Sequence, residues 1–331
     1  DDYLRTEYIV AGVIAAIVLV LLLYAPFRIR KLKKRLKAKE YASEKWEELD
    51  FDGNGDISDH EFAAYKAEWR QRVVDMQAEM ADFINGFHNF KQFNGNVLVA
   101  KDGKVLFEQS VGYANFEWDI KHRNKSKFRI GSITKQFTAM LILQLAQDGK
   151  LKLDDHLATY LPDYRKDIAT KITLRQILNH TSGLGNYTQA KSFRDEYSRN
   201  PYSVDEFIRL LCSDDLVFEP GTEFRYSNSG YFILGAVIEK VTGQKYQDVL
   251  QKNILDPLDM KDTGYDSHNK IIKFRVSGYD NGLASYSNTD YLDMSIPYAA
   301  GSMYSTARDL LKWDQALYTD KLLNNEYKKQ M

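Results

Sequence analysis

The first apolar feature of the chain is an uncharged stretch at residues 8–27, which reads YIVAGVIAAIVLVLLLYAPF. A helix of these 20 residues rises roughly 30 Å, which matches the hydrocarbon thickness of a bilayer. The stretch is apolar on every face, whereas a core helix normally keeps a polar face. Its positive charges follow the stretch, unlike those of a signal peptide. The pattern therefore predicts a transmembrane helix and a single-pass membrane protein.

The polar segment that follows, residues 28–39, carries eight cations in twelve positions as RIRKLKKRLKAK. Beside a membrane span, such a segment is expected to bind anionic lipid headgroups. The positive-inside tendency places this segment and the rest of the chain on the cytoplasmic or mitochondrial-matrix side. A bacterial envelope and a mitochondrial inner membrane both fit this pattern.

Residues 50–61, DFDGNGDISDHE, have the twelve-position pattern of an EF-hand calcium loop. The predicted Ca²⁺ ligands are Asp50, Asp52, Asn54, Asp56 through its main-chain oxygen, Ser58 and Glu61. Gly55 occupies the sixth position, where the loop turns sharply. The segments on both sides of the loop have helical patterns. An acidic turn between two helices is the alternative interpretation.

From about residue 94 the hydrophobic pattern changes to strand-like alternation. NVLVA and KVLFEQSVGYA are separated by Asp102 and Gly103, which predicts a β-hairpin closed by a tight turn. The stretch FTAMLILQLAQDG, which begins at Phe137, predicts an apolar helix that ends near Gly149. The later stretch IIKFRVSGY, residues 271–279, has the pattern of a strand.

Composition narrows the function classes without identifying one. The chain has 331 residues, of which 44% are hydrophobic and 27% charged, and this balance is typical of a globular protein. A net charge of −1 argues against nucleic-acid binding. The single cysteine, Cys212, excludes an intrachain disulfide, and the six scattered histidines do not form a zinc motif.

Ser132 and Lys135 stand three residues apart at the start of the predicted apolar helix, within FRIGSITKQFTAM. Positions i and i+3 share one helix face, so the two side chains are expected to meet. A desolvated neutral lysine can accept the proton of a serine hydroxyl, and N–H groups at a helix start can stabilise an oxyanion. The alternative is an N-cap serine followed by a surface lysine. Ser267 and Lys270 share the spacing but precede the strand-like stretch.

Four sequence blocks occur in an order that resembles the serine β-lactamase and penicillin-binding-protein family, in particular its class C branch. They are FRIGSITKQFTAM, ITLRQILNHTSGLGNY, FRYSNSGYFILGAVIEKVTG and AAGSMYSTARDLLKW. That branch also holds D-alanyl-D-alanine peptidases and esterases. The resemblance covers roughly residues 88–331 and implies an α+β fold of the β-lactamase/transpeptidase type. In such a fold an antiparallel sheet is flanked by helices and joined to an all-α subdomain, and no catalytic metal is implied.

The same resemblance implies roles for four residues. Ser132 would be the acylated nucleophile and Lys135 its proton-transfer partner. Tyr226 would be the second base of a Tyr-x-Asn motif, and Asn228 would position the substrate amide or the lysine. A second Tyr-Ser-Asn, residues 286–288, lacks the glycine and the apolar run that follow Tyr226. His180, in NHTSG, is expected to be a structural loop residue and not a catalyst.

The family's third motif, a Lys-Thr-Gly or His-x-Gly triad on a strand, does not occur in the sequence. The similar tripeptide at residues 101–103 belongs to the predicted hairpin turn. The resemblance implies that residues beyond the fourth block supply the third motif, a second oxyanion donor and the remaining strands of the sheet. Because natural proteins avoid an unpaired sheet edge, we expect these strands to follow Met331 or to come from another chain.

The predicted organisation has four parts. They are a tail with a transmembrane helix (1–27), a basic juxtamembrane helix (28–49), an EF-hand loop with the following helix (50–85) and a β-lactamase-like domain (88–331). The leading hypothesis is a membrane-anchored serine hydrolase that is acylated at Ser132 by an ester, amide or lactam. One alternative is a degenerate accessory or scaffold subunit of a membrane complex, and another is a calcium-sensing tether. The expected partners are the lipid bilayer, anionic lipids at residues 28–39, and membrane-complex subunits or a second protomer.

Overall fold

The computed structural model describes residues 59–282 and 286–331 of the chain. The predicted transmembrane helix, the basic segment and the predicted calcium ligands from Asp50 to Ser58 lie outside these residues. Within the described ranges, no helix is long and apolar enough to cross a bilayer. In the same ranges, no cluster of His, Cys, Asp and Glu side chains is arranged to hold a metal ion.

Helices account for most of the regular structure in these residues. They are α1 (Asp59–Asn89), α2 (Thr134–Gln147), α3 (Lys166–Ala169), α4 (Leu174–Leu178), α5 (Val204–Leu211), α6 (Asn228–Thr242), α7 (Tyr246–Leu250), α8 (Tyr298–Gly301), α9 (Ala307–Leu317) and α10 (Asn325–Lys328). The residues from Glu79 to Met331 form one compact unit, and the part of α1 up to Ala78 belongs to another.

The strands are short and form small antiparallel sheets. They are β1 (Gly95–Lys101), β2 (Lys104–Val111), β3 (Tyr113–Asn115), β4 (Ile120–Lys121), β5 (Phe128–Arg129), β6 (Gly264–Tyr265), β7 (Tyr279–Asn281), β8 (Tyr286–Asn288) and β9 (Met303–Ser305). Among the described strands, the pairs are β1–β2, β3–β4 and β7–β8, and one sheet has the order β5–β9–β6. Helices and antiparallel strands together give the predicted α+β class.

The predicted hairpin is confirmed as β1–β2, whose register runs from Gly95 opposite Val111 to Lys101 opposite Lys104. Its turn residues have positive φ angles, 49° at Asp102 and 74° at Gly103. Two positive φ values define the type I′ turn, whose twist matches that of the paired strands. The sequence signal of Asp-Gly between two apolar stretches was therefore sufficient here.

The sheet β5–β9–β6 brings two distant parts of the chain beside the start of α2. Phe128 lies opposite Ser305, and Met303 lies opposite Tyr265. Ile130, the residue that follows β5, donates its N–H to the main-chain oxygen of Met303 at 2.9 Å. This sheet therefore fixes the segment before Ser132 against the segment after α8.

Helices α2 and α6 form the centre of the hydrophobic core because both are apolar on most of their surface. Leu141 of α2 and Leu234 of α6 are fully buried, and the ring centroid of Phe137 lies 4.0 Å from that of Trp313. Helix α8 packs against both, and it approaches α6 at Gly235. A Cβ at that glycine would lie 2.3 Å from the Tyr298 ring, so only glycine permits the contact.

Two further predictions concern single elements. The predicted helix end near Gly149 is confirmed, since α2 ends at Gln147 and Gly149 has a φ of 68°. The predicted strand at residues 271–279 is wrong apart from its last residue, where β7 begins, and an isolated bridge between Lys127 and Arg275. Phe274 has a φ of 67°, which interrupts the extended conformation that a strand requires.

Candidate active site

Ser132 lies in a short 3₁₀ turn, Gly131–Ile133, that leads directly into α2. Gly131 has a φ of 51°, and a Cβ added there would have no heavy atom within 4 Å, so the surface beside Ser132 is open. The first N–H groups of a helix have no partner within the helix. The N–H of Ser132 is therefore placed to donate to a negatively charged oxygen on a bound molecule.

Lys135 is buried, with 6% of its surface exposed, and its amine is surrounded by three oxygens. Nζ lies 3.2 Å from Ser132 Oγ, 2.8 Å from Asn228 Oδ1 and 2.8 Å from the main-chain oxygen of Ala300. The Ser132–Lys135 contact that the i, i+3 spacing predicts is therefore present. The other two oxygens come from α6 and α8.

The protonation state of Lys135 follows from its burial. Removal from water disfavours the charged amine and lowers the pKa of Lys135 to about 7. A neutral amine has two N–H donors and one lone pair. The oxygens of Asn228 and Ala300 can only accept, so they take the two N–H groups. The lone pair is then directed at the remaining neighbour, the hydroxyl of Ser132.

Tyr226 brings a second hydroxyl to the serine. Its OH donates to Ser132 Oγ at 2.7 Å, and its ring centroid lies 4.7 Å from Lys135 Nζ. Burial raises the pKa of Tyr226, and the hydrogen bond with Ser132 opposes that shift. The phenol therefore stays protonated at neutral pH and acts as a donor to Oγ. Its implied role as a second base stays a prediction.

Asn228 is the first residue of α6 and is held by a side chain that the sequence analysis did not assign. Asn186 Oδ1 accepts the main-chain N–H of Asn228 at 3.3 Å and its Nδ2–H at 3.2 Å. This leaves Asn228 Oδ1 directed at Lys135. Asn186 is the penultimate residue of the second of the four blocks, yet its contact with Asn228 depends on the fold and could not be read from spacing.

His180 lies next to the hydroxyl groups but contacts Tyr226, not Ser132. Its ring centroid is 4.7 Å from that of Tyr226 and 5.1 Å from that of Tyr231. Burial, assisted by the charge of Lys135, lowers the pKa of His180 to about 4. The imidazole is therefore neutral at physiological pH.

The counterexamples from the sequence lie in other surroundings. Ser267 and Lys270 form a turn, in which the N–H of Lys270 donates to the Ser267 oxygen at 3.3 Å. Tyr286 belongs to β8 and donates its hydroxyl to the main-chain oxygen of Lys91. Glu61, the last predicted calcium ligand, lies in α1. The structure thus brings Ser132, Lys135, Tyr226 and Asn228 into one hydrogen-bonded cluster.

Comparison with known proteins points to the same family as the four sequence blocks. Residues 88–331 match the Beta-lactamase family. A putative penicillin-binding protein of Bacillus subtilis, PbpX, is 28% identical over 264 residues, which cover 80% of this chain and 63% of that protein. The chain spans between 37% and 63% of the length of such curated relatives.

Two of the solved structures that resemble this chain illustrate the shared fold. A penicillin binding protein from Bacillus halodurans has a TM-score of 0.66 at 30% identity, with 73% of this chain and 74% of that chain covered. A D-stereospecific amidohydrolase from Streptomyces has a TM-score of 0.62 at 30% identity, with 71% of each chain covered. The match over residues 88–331 includes the whole Ser132 cluster. The chain therefore belongs to the beta-lactamase family of serine hydrolases.

Proposed function

We propose that this chain is a serine hydrolase that forms an acyl-enzyme at Ser132 with an ester, an amide or a lactam. One observation carries the proposal: the buried amine of Lys135 has two acceptors for its N–H groups and one hydroxyl facing its lone pair. This is the arrangement that a general base for a serine nucleophile requires.

In the acylation step, Ser132 Oγ forms a bond to the substrate carbonyl carbon while its proton passes to Nζ of Lys135. The carbonyl π electrons move to oxygen, and the N–H of Ser132 donates to that oxyanion. The resulting ammonium keeps its hydrogen bonds to Asn228 and Ala300. These two oxygens stabilise the charged form once it appears, and burial keeps about half of the free enzyme's Lys135 amine neutral at pH 7, where an exposed lysine is almost fully charged.

Collapse of the oxyanion breaks the bond to the leaving group, which needs a proton. The phenol of Tyr226 lies 2.7 Å from Ser132 Oγ, so it can donate that proton and recover one from Lys135. In deacylation, water attacks the acyl carbon and gives its proton to the same pair, and Ser132 Oγ regains a proton as the ester bond breaks. The net reaction is hydrolysis.

The known proteins support an acyl substrate of this class. The relatives are described as a penicillin-binding protein and as a D-stereospecific amidohydrolase. A lactam and an amide both present the carbonyl that the cluster can attack. Rates of hydrolysis of an ester, an amide and a lactam that carry the same acyl group would identify the preferred substrate class.

Covalent labelling tests the proposal. Incubation with a fluorophosphonate or a penicillin, followed by peptide mass spectrometry, is expected to place the adduct on Ser132. Ser132→Ala removes the adduct, whereas Ser267→Ala leaves it, because Ser267 shares only the spacing to a lysine. A protein that takes no label from either probe contradicts the hydrolase proposal and favours the accessory-subunit hypothesis.

We also propose that residues 8–27 anchor this hydrolase in a membrane, with residues 28–39 on anionic lipid. The length of the apolar stretch and the charges after it support this proposal. We expect the protein to stay with membranes after carbonate extraction. In a chain that lacks residues 1–27, replacement of residues 28–39 by a neutral sequence is expected to weaken binding to phosphatidylserine vesicles. In the full chain the same replacement is expected to have no such effect, because residues 8–27 hold the protein in the bilayer.

Calcium binding by residues 50–61 is a third proposal, supported by the twelve-position pattern. Titration calorimetry with Ca²⁺ is expected to give one site, which Glu61→Gln weakens because the last position supplies a carboxylate. Glu68→Gln is the matched control, since Glu68 lies outside the loop. Equal Ca²⁺ affinity in all three proteins contradicts the assignment.

A further inference from the structure

We infer, on the basis of the proposed acyl-transfer function, that His180 is a positioning residue that sets the hydroxyl of Tyr226 against Ser132. It binds the main chain on both sides of Tyr226 and packs against the tyrosine ring. His180 touches none of the reacting atoms, so its effect on the reaction passes through Tyr226.

His180 forms hydrogen bonds with the residue before Tyr226 and with the residue after it. Its main-chain oxygen accepts the N–H of Arg225 at 2.9 Å, and its Nδ1 accepts the N–H of Ser227 at 3.2 Å. Tyr226 stands between these two residues, and its own ring lies against the imidazole. One residue thus fixes the backbone position and the ring plane of Tyr226.

The turn after α4 orients His180 so that it can bind both neighbours of Tyr226. Helix α4 ends at Leu178, and His180 has a φ of 61°, in the left-handed region. The N–H of the next residue, Thr181, returns to the Gln176 oxygen at 2.8 Å. This left-handed turn directs both the carbonyl and the side chain of His180 toward Tyr226.

The hydrogen bond from Ser227 also defines the charge state. Nδ1 can accept an N–H only when it carries no proton, so the ring proton is on Nε2. The low pKa of His180, caused by burial and by Lys135, is consistent with this neutral form. A neutral ring avoids a second positive charge beside Lys135, which would hinder proton uptake by that amine.

The consequence for the reaction is geometric. Tyr226 is partly exposed, with 39% of its surface accessible, so its hydroxyl is not held by burial alone. A displacement of about 1 Å in a catalytic contact costs on the order of 100-fold in rate. Loss of the His180 contacts is therefore expected to lower kcat and to leave KM almost unchanged.

Three variants separate the contributions of His180. His180→Asn keeps an acceptor at the position of Nδ1 and tolerates a positive φ. His180→Phe keeps an aromatic ring without the acceptor, and His180→Gly keeps only the backbone freedom. With a p-nitrophenyl ester, we expect kcat to fall about 10- to 100-fold in the Phe and Gly variants. We expect the Asn variant to recover most of that loss. Unchanged kcat in the Gly variant, or an Asn variant as slow as the Gly variant, overturns the inference.

A double-mutant cycle tests whether His180 acts through Tyr226. In a Tyr226→Phe background the hydroxyl is absent, so His180→Gly is expected to cost less than about twofold in kcat. If His180→Gly costs the same factor with and without the Tyr226 hydroxyl, the role assigned to His180 is wrong.

Hydrogen exchange provides a test that needs no activity. The Arg225 amide donates to the main-chain oxygen of residue 180, which glycine also supplies, so it serves as the internal reference. The Ser227 amide donates to the imidazole, so it is expected to exchange faster in His180→Gly than in the wild type and to regain protection in His180→Asn. Equal exchange in the wild type and the Gly variant overturns the inference. A wild-type protein that takes no acyl label contradicts the proposed function separately, and the exchange result then decides the role of His180 alone.

Discussion

The main-chain oxygen of Ala300 accepts a hydrogen bond from Lys135 Nζ at 2.8 Å, across 165 positions of sequence. This contact joins α8 to the first turn of α2. It also gives Lys135 an acceptor that no substitution of the Ala300 side chain can remove. The position of α8 therefore controls the orientation of the lysine lone pair toward Ser132.

The first prediction concerns the pH dependence of acylation. The pKa of Lys135 is lowered to about 7, and only the neutral amine accepts the serine proton. The rate of fluorophosphonate labelling is therefore expected to be half-maximal near pH 7 and to fall about tenfold per unit below pH 6. Measured between pH 5 and pH 9, a rate independent of pH contradicts the role of Lys135. Lys135→Arg, which stays charged, is expected to label at least about 100-fold more slowly.

The second prediction concerns Asn228, whose oxygen contacts Lys135 Nζ at 2.8 Å. In Asn228→Asp a carboxylate at that position favours the charged amine and raises the pKa of Lys135 by about 1 to 3 units. The labelling profile is expected to move to higher pH by the same amount. Asn324→Asp, a change at the N-cap of α10, is the matched control and should leave the profile in place.

The third prediction concerns the stability of the fold in acid. His122 is buried against Phe128, and neither of its ring nitrogens has a hydrogen-bond partner among the described residues. Burial lowers the pKa of His122 from 6.5 to about 4. Below pH 6.5 the unfolded chain therefore binds this proton more readily than the folded chain does, so stability falls as pH falls toward 4.

His122→Phe removes that proton. Relative to the wild type, the free energy of unfolding of the variant is expected to gain about 1 kcal/mol between pH 7 and pH 5, after allowance for solvent screening. Urea denaturation at the two pH values measures this difference. A constant difference between the two proteins contradicts the assignment.

The fourth prediction concerns the contact between α6 and α8. In Gly235→Ala the new Cβ would lie 2.3 Å from the ring of Tyr298 and 2.5 Å from the Ala299 side chain. Overpacking of this kind costs about 1–3 kcal/mol of unfolding free energy. Because α8 carries the Ala300 oxygen, acylation is expected to slow as well.

Gly86→Ala is the control for that variant. It is also a glycine in a helix, but a Cβ at Gly86 would have no heavy atom within 4 Å. We expect this change to stabilise the protein by about 0.5–1 kcal/mol. Thermal denaturation with opposite signs for the two variants would confirm that packing, not helix propensity, dominates at Gly235.

Local features of this fold could be predicted from sequence because neighbouring residues determine them. The turn at Asp102 and Gly103 needs two positive φ angles, which these residue types tolerate. The Ser132–Lys135 contact follows from helical spacing. The strand expected at residues 271–279 failed because apolar alternation cannot reveal the left-handed conformation of Phe274.

The tertiary structure alone decided how the site is assembled. The family resemblance identified Tyr226 and Asn228 as site residues. It did not show that Asn186 orients Asn228 or that His180 binds both neighbours of Tyr226. The Ala300 oxygen is a main-chain atom, so the residue type at this position does not predict the hydrogen bond. Spacing and periodicity determine contacts within one turn or one hairpin. Contacts across 165 positions depend on how α2, α6 and α8 pack, and that packing is a property of the whole core.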